Sequence, residues 1–341
     1  MNRNEILELM TEGLYHGKPI KGMLEETNIS WVILGEEFVF KIKKPIKLTF
    51  LDYSTLDLRK LNCEKELELN KRFSPIYLSV LPIIKSKHHW VFGEAEGEII
   101  DYAVCMMKME FDKRMDLLLE QNSVKGEQVV RLAKQVATFH LGAEVIQKET
   151  EIDSFYGIFN DLESVSEIAG QFLDQKYVQM IASLINWSDG FIKEHFSRFE
   201  SRERDGFFRD VHGDLHSRNI FLYEEPIIFD CIEFEESFRQ IDVLYEVAFI
   251  CMDLENYEKK DLSDVFLDAY LAEFDCMITK EDTQIFQYYK CLRANIRAKV
   301  NLLAAKTESD ADKRNRKLDS GKKYLDLALS YTKYDKHHKM T

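Results

Sequence analysis

The stretch from residue 211 to residue 230 constrains this chain more than any other. Val211-His212-Gly213-Asp214-Leu215-His216-Ser217-Arg218-Asn219 runs into the apolar Ile220-Phe221-Leu222, and after Tyr223-Glu224-Glu225-Pro226 a second apolar run, Ile227-Ile228-Phe229, ends in Asp230. Two short β-branched and aromatic runs around a polar turn predict a hairpin. Such a hairpin holds Asn219 at the start of one strand and Asp230 at the end of the other, close enough to share an ion. An Asp, an Asn five positions later and a second Asp beyond an apolar run are the parts that phosphoryl transfer from Mg2+ and ATP requires. One carboxylate takes the acceptor hydroxyl's proton, while an amide and a second carboxylate hold the metal against the phosphates. The competing reading is a buried histidine beside a polar turn that Asp214 caps.

The spacing His212, Asp214, Asn219 resembles the catalytic loop of the kinase-like phosphotransferases. Gly213 and His216 make it similar to the aminoglycoside phosphotransferase and choline kinase branch, which carries His-Gly-Asp-x-His where protein kinases carry His-Arg-Asp. Further segments resemble a bacterial aminoglycoside phosphotransferase-like family of undefined substrate: Ser30-Trp31-Val32, Phe40-Lys41-Ile42-Lys43-Lys44-Pro45, Phe50-Leu51-Asp52, Glu66-Leu67-Glu68-Leu69-Asn70 and Ile241-Asp242-Val243. The likeness runs from about residue 25 to about residue 300. It implies an α+β, two-lobed protein kinase-like fold: an N-terminal antiparallel sheet lobe with one main helix over residues 1–109, and a larger, mostly helical lobe over residues 110–341. By the same resemblance Asp214 and His212 are catalytic, Asn219 and Asp230 hold Mg2+, and ATP is the donor.

Length and charge agree with that expectation. A chain of 341 residues exceeds the usual single-core size, which predicts two lobes with a cleft. A formal charge of -14 disfavours nucleic acid or an anionic membrane surface as the main partner, because both are bound through excess Lys and Arg. No apolar run approaches the roughly 20 residues that span a bilayer, and the start, Met1-Asn2-Arg3-Asn4-Glu5, lacks the apolar core of a signal peptide. The expected location is the cytoplasm, with no membrane partner. Six cysteines without a C-x-x-C pair predict reduced thiols.

In the first lobe, Trp31-Val32-Ile33-Leu34 and Phe38-Val39-Phe40-Lys41-Ile42 read as a strand pair. The turn before it has no Gly-x-Gly-x-x-Gly, so Thr27, Asn28 and Ser30, with backbone N–H groups, are the expected nucleotide contacts. The resemblance puts the phosphate-pairing lysine at Lys41. Lys43 shares its face by the two-residue period of a strand and stays open as the alternative. The partner is a Glu of the helix Leu56 to Phe73, whose Leu58, Leu61, Leu69 and Phe73 suggest an apolar stripe. Glu66 is favoured because it leads Glu-Leu-x-Leu-Asn; Glu64 and Glu68 remain candidates. Met106 to Glu110 reads as the hinge between lobes, with Met107 and Met109 against the adenine.

Only 12 positions separate Asp230 from Asp242, too few for the segment on which peptide-phosphorylating kinases hold an extended substrate. The brevity points to a small-molecule hydroxyl acceptor such as a sugar, sugar acid, amino alcohol or aminoglycoside. Glu233, Glu235 and Glu236 suit a polycationic acceptor. Arg293 and Arg297, on a helix predicted from Thr283 to Ala305, suit a carboxylate or phosphate, and the balance favours a neutral or anionic acceptor. Two rival functions stand beside the small-molecule kinase: a catalytically silent nucleotide-binding regulator, and a Ser/Thr protein kinase, which the short segment disfavours.

Overall fold

The computed structural model describes residues 1–86, 89–147 and 152–333; the tail expected to fray, 331–341, lies outside the described residues from 334 onward. The chain forms two compact units, and neither is contiguous. The first comprises Met1–Leu117, His212–Asp214 and Arg218–Arg239, the second Leu118–Val211, Leu215–Ser217 and Gln240–Thr341. A cut at residue 109 follows chain order, whereas packing returns the segment around Asp214 and Asp230 to the N-terminal unit.

The first unit opens with helix α1 (Arg3–Glu12), whose N-terminus is satisfied by a capping box between Asn2 and Glu5. Then come strands β1 (Gly13–Tyr15), β2 (Lys18–Pro19), β3 (Met23–Glu26), β4 (Ser30–Leu34) and β5 (Phe38–Lys43), a small pair β6 (Lys47–Leu48) and β7 (Leu51–Asp52), helix α2 (Leu56–Lys71), and strands β8 (Tyr77–Lys85), β9 (Trp90–Phe92) and β10 (Glu98–Met107). Eight strands make one sheet in the order β2-β1-β9-β8-β10-β5-β4-β3. Neighbours are antiparallel except β1 and β9. Side chains alternate across a strand, so Phe40 and Ile42 of β5 enter a core with Trp31, Ile33, Ile83 and Trp90. The opposite face of β5 carries Val39, Lys41 and Lys43. A second core joins that face to α2 through Cys63, Ile76, Tyr77, Val104 and Met106.

The stripe expected on α2 is not the buried one. Leu61 is 52% exposed, while Arg59, Cys63, Glu66 and Asn70 are buried, four residues at helical spacing that form one face. Each polar member has a partner inside the unit: Arg59 donates to Asp101 at 2.8 Å, Asn70 accepts the Cys231 N–H at 2.9 Å, and Glu66 meets two lysines. Strands β1 to β3 have no counterpart in the sequence expectations. They are two to four residues long, and β2 and β3 are largely exposed, which leaves no apolar alternation to read. His16 and Gly17, with φ of 49° and 73°, turn β1 into β2, the left-handed pair that tight hairpins need.

The predicted hairpin forms as β12 (Ile220–Phe221) and β13 (Ile227–Ile228), antiparallel, following β11 (Phe208–Asp210) in the chain. The second unit is mainly helical: α3 (Met115–Glu120) leads into it, then α4 (Gly126–Gly142), α5 (Ile152–Asn160), α6 (Ser166–Phe172) and α7 (Gln175–Arg204), and, after strand β14 (Gln240–Asp242), α8 (Val243–Asn256), α9 (Lys260–Glu273), α10 (Lys280–Lys306) and α11 (Ala311–Tyr331). Its polar centre is Arg202, fully buried, which pairs with Asp242 at 2.6 Å and Asp282 at 2.7 Å. Asp242 also caps α8 through the Leu244 N–H at 2.9 Å, so one guanidinium ties α7 to the N-termini of α8 and α10. The six cysteines are buried and unbridged. Among the described residues no helix is long and apolar enough to cross a membrane.

Candidate active site

The site lies in the first unit and begins on β5. Lys41 Nζ is 2.8 Å from Glu66 Oε1 and 2.7 Å from Asp230 Oδ1. Lys43 Nζ is 2.8 Å from Glu66 Oε2 and also bonds Glu233 Oε1 and, at 3.3 Å, the Tyr53 hydroxyl. Glu66 thus divides its two oxygens between two lysines. Glu64 pairs with Lys60 on the surface, and Glu68 is exposed. Lys41 keeps 13% of its side chain exposed and Lys43 none; of the two, only Lys41 lines the neighbouring cavity.

Burial opposes charge on both lysines, yet the carboxylates overcome it: Asp230, Glu66 and Glu233 hold the Lys41 ammonium well above the usual lysine range, and Glu233 and Glu66 do the same for Lys43. Burial pushes Glu66 up, but Lys41 and Lys43 win and hold it below glutamate's ordinary 4.5. A depressed carboxylate contributes stability that is complete above its unfolded value and is lost as pH falls through the folded one; raised lysines contribute stability that is lost only on the alkaline side, above the unfolded value. The expected result is a plateau in Tm at neutral pH and a fall as the pH drops below about 4.5. Glu66→Gln should flatten that acid limb in thermal melts across pH.

The segment after β13 brings the second carboxylate. Phe229 donates its N–H to Asn219 O at 3.0 Å, closing the hairpin beside Asp230. Asp230 has φ of 64°, a left-handed conformation that Asp tolerates better than most residues, and its N–H donates to the Tyr77 hydroxyl at 3.0 Å. On the loop before β12, the Asn219 amide donates to Asp214 Oδ2 at 3.0 Å and to Asp214 O at 3.0 Å. The hairpin therefore gathers Asp214, Asn219 and Asp230.

His212 is fully buried. Its Nδ1 accepts the Asp214 N–H at 3.3 Å, which leaves Nε2 to donate to Phe229 O at 2.9 Å. That pattern defines a neutral ring tying the loop to the hairpin. Gly213 has φ of 86°, and a Cβ there would stand 2.7 Å from Phe238 O, so the loop needs glycine at that position.

A cavity of about 260 Å³ adjoins these groups, lined by Thr27, Lys41, Tyr77, Met107, Met109 and Asp230 among others. Thr27 also builds its own turn, its hydroxyl accepting the Ser30 N–H at 2.9 Å. Neither Asn28 nor Ser30 lines the cavity. Asn28 is exposed. The register pairs Val32 with Lys41 and Ser30 with Lys43, and the cavity reaches Val32 but stops short of Ser30. Met107 N–H is used by Ile76 O at 2.8 Å and Lys108 N–H by Glu37 O at 2.9 Å.

The acidic run weighed as a contact for a cationic acceptor has partners within the chain. Glu233 is buried against Lys43 and Tyr53, Glu235 accepts the Ser237 N–H at 3.1 Å, and Glu236 meets Lys65 at 3.2 Å. In the second unit Arg293 is stacked on Tyr245, 3.7 Å from the ring centroid, and on Phe249, and Arg297 lies over Tyr324.

Three solved structures share this architecture along nearly the whole chain. A choline kinase of Cryptosporidium parvum Iowa II matches with a TM-score of 0.54 at 11% identity, covering 93% of this chain and 91% of that one. A choline/ethanolamine kinase family protein of Mesorhizobium loti gives 0.54 at 12%, covering 98% and 100%. The GDP complex of wild-type aminoglycoside 2'-phosphotransferase-IIIa gives 0.51 at 14%, covering 97% and 98%. The fold is that of the choline kinase and aminoglycoside phosphotransferase branch. Within this kinase-like fold, sequence relatives say less about chemistry. Uncharacterized proteins of Mycobacterium tuberculosis and Mycobacterium bovis are 27% identical over 301 residues, 85% of this chain; the chain spans 57% of their length. No family model matches.

Tyr53 and Tyr77 escape a reading by motif, and Glu233, read from the sequence as an acceptor contact, lies instead against Lys43. Tyr53 directly follows Phe50-Leu51-Asp52, and Glu233 stands three positions past Asp230. Those positions were the available signals, but only folding shows that both side chains meet at Lys43.

Proposed function

We propose that the chain is a phosphotransferase that moves the γ-phosphoryl group of ATP, with Mg2+, to a hydroxyl of a small molecule. The observation that carries this reading is that Lys41 and Asp230 line one cavity, with Glu66 behind Lys41 and the Asp214 and Asn219 pair tied to the residue before Asp230 through the Phe229 N–H. The choline, ethanolamine and aminoglycoside kinases that share the fold lend it support, as does the GDP bound in one of them.

The donor set suits magnesium. Lys41 occupies Asp230 Oδ1 and Asp214 occupies the Asn219 amide nitrogen, which leaves Asp230 Oδ2 and Asn219 Oδ1. These are two hard oxygens, the small protein share that Mg2+ takes beside water and phosphate. When bound, the metal supplies neutralisation of charge on the β- and γ-phosphates. Asp214 accepts the proton of the acceptor hydroxyl, and Asn219 fixes the orientation of its carboxylate. Lys41, backed by Glu66, binds phosphate oxygen, and the base stacks among apolar groups that include Met107 and Met109. His212, expected to be catalytic, serves in this reading by holding the loop to the hairpin through Phe229 O and the Asp214 N–H. Glu233 is buried against Lys43, and Arg293 and Arg297 stack on rings of their own unit, so neither set of charges selects the acceptor; the reading carried from the sequence is a neutral or anionic hydroxylated metabolite.

The test is ADP release from Mg2+ and ATP in the presence of pooled metabolites, followed by a panel of sugars, sugar acids, amino alcohols and aminoglycosides. Acceptor-dependent release is expected. Nucleotide binding without release under any acceptor would instead favour the silent regulator. Asp230→Ala should weaken nucleotide binding in Mg2+ by at least the roughly 10–100-fold that loss of even an outer metal partner costs, with little change when the metal is chelated. Equal losses with and without metal would remove Asp230 from the metal site.

A further inference from the structure

A single Lys–Glu pair would suffice to aim one ammonium at phosphate, yet this site has two lysines on one carboxylate. Their bonding differs. Lys43 has all three ammonium donors engaged, by Glu66 Oε2, Glu233 Oε1 and the Tyr53 hydroxyl, and it is shut off from the cavity. Lys41 shows two partners, Glu66 and Asp230, and opens on the cavity. One lysine is saturated and closed off, while the other faces the cavity.

The carboxylates divide accordingly. Asp230 Oδ1 must be released by Lys41 if that ammonium is to turn to phosphate, and Glu66, fully buried, would then depend on a lysine shared with the ligand. A buried carboxylate that loses its cation is costly. Lys43 keeps Glu66 paired throughout. It reaches the Asp230 segment as well, through Glu233. From Phe229 to Glu233 every residue is anchored: the Phe229 N–H on Asn219 O at 3.0 Å, the Asp230 N–H on Tyr77 at 3.0 Å, the Cys231 N–H on Asn70 at 2.9 Å, the Ile232 N–H on His212 O at 3.2 Å, and the Glu233 carboxylate on Lys43 and on the Tyr53 hydroxyl at 2.8 Å. The final anchor is charged and comes from β5, and unlike the Lys41–Asp230 pair it involves no group that faces the cavity.

We propose that Lys43 is a positioning residue: with Glu233 and Tyr53 it clamps Glu66 and the Asp230 segment to β5, so that the metal ligand is already in place when Lys41 exchanges Asp230 for nucleotide phosphate. This rests on the phosphotransfer reading and adds that the metal platform is assembled before ligand arrives, with a second lysine as its keystone. Tyr53 is part of the same clamp, since its hydroxyl accepts from Lys43 and donates to Glu233.

The test uses the full chain and separates the clamp from the reading beneath it. ATP binding is measured with and without Mg2+ for the parent, Lys43→Met, Glu233→Gln and Tyr53→Phe, together with amide hydrogen exchange of residues 230–232 in the ligand-free proteins. In the parent, Mg2+ should strengthen ATP binding. In Glu233→Gln the Mg2+ concentration for half-saturation should rise by roughly tenfold, and in Lys43→Met by up to roughly 100-fold, the range for supports of a metal ligand. Tyr53→Phe should raise it about threefold, roughly the loss of one hydrogen bond of modest strength. Metal-free ATP binding should stay near the parent's, and the 230–232 amides should exchange faster. A simple stability role would lower Tm and weaken both kinds of binding alike. If Glu233→Gln and Tyr53→Phe, the mild variants that decide should Lys43→Met fail to fold, keep the parent's Mg2+ requirement and exchange rates, the clamp is wrong while phosphotransfer stands. A parent that binds ATP no better with Mg2+ than without overturns the phosphotransfer reading and the clamp with it.

Discussion

Asp214→Asn should lower acceptor-dependent ADP formation by roughly 10²–10⁴-fold, the usual worth of a positioned general base, and leave nucleotide affinity almost unchanged. The substitution keeps the shape of the side chain and an oxygen that can accept from the Asn219 amide, which now lies 3.0 Å from Asp214 Oδ2. It removes the capacity to take a proton. Lys41, Glu66 and Asp230 form their own contacts without Asp214, so the phosphate and metal ends of the site should survive. Steady-state rates beside direct binding of Mg2+ and ATP are the measurement. A variant that turns over at the parent's rate would move the base to another residue.

Glu66→Ala should be the most damaging single change to the first unit, at about 3–5 kcal/mol, the cost of breaking a buried pair by deleting one partner. Two ammonium groups, at 2.8 Å from its two oxygens, would each lose a carboxylate in a region where Lys43 has no exposure. Asp230 and Glu233 would remain, so a folded but weakened unit is expected. At about 2–4 °C per kcal/mol for a unit of this size, Tm should fall by roughly 10 °C at neutral pH. Glu66→Gln, which keeps the volume and one acceptor, should lose less. Thermal and denaturant unfolding check both. A Glu66→Ala protein as stable as the parent would show that the lysines find water or other anions instead.

The site was legible wherever local order carried it. Ile220-Phe221 and Ile227-Ile228 flank a polar turn, the pattern of a hairpin, and the hairpin brings Asn219 beside the Phe229–Asp230 segment. The two-residue period of β5 put Lys41 and Lys43 on one face before any partner was known. Choosing between them needed the cavity, because exposure is not written in a strand's periodicity. Helix α2 misled for a related reason. Its leucines suggested an apolar stripe, yet the buried face is Arg59, Cys63, Glu66 and Asn70. Polar groups can be buried when each finds a partner, and the partners, Asp101, Lys41, Lys43 and the Cys231 N–H, come from distant parts of the chain.

The acidic run Glu233, Glu235 and Glu236 makes the same point about charge. Three neighbouring carboxylates look alike in sequence, but folding buries one against Lys43, turns another into a cap for Ser237, and leaves the third near Lys65. What the sequence by itself determined here are features whose causes span a few residues: the spacing of Asp214 and Asn219, the hairpin, and the faces of β5. What only the tertiary structure decided are features whose causes lie 23 to 190 residues apart: which lysine reaches the cavity, which glutamate joins it, and where the segment after Asp230 is held. Local rules act through backbone geometry that each residue carries with it. A buried ion pair is decided by desolvation and by the arrival of its partner, and neither exists until the chain has folded.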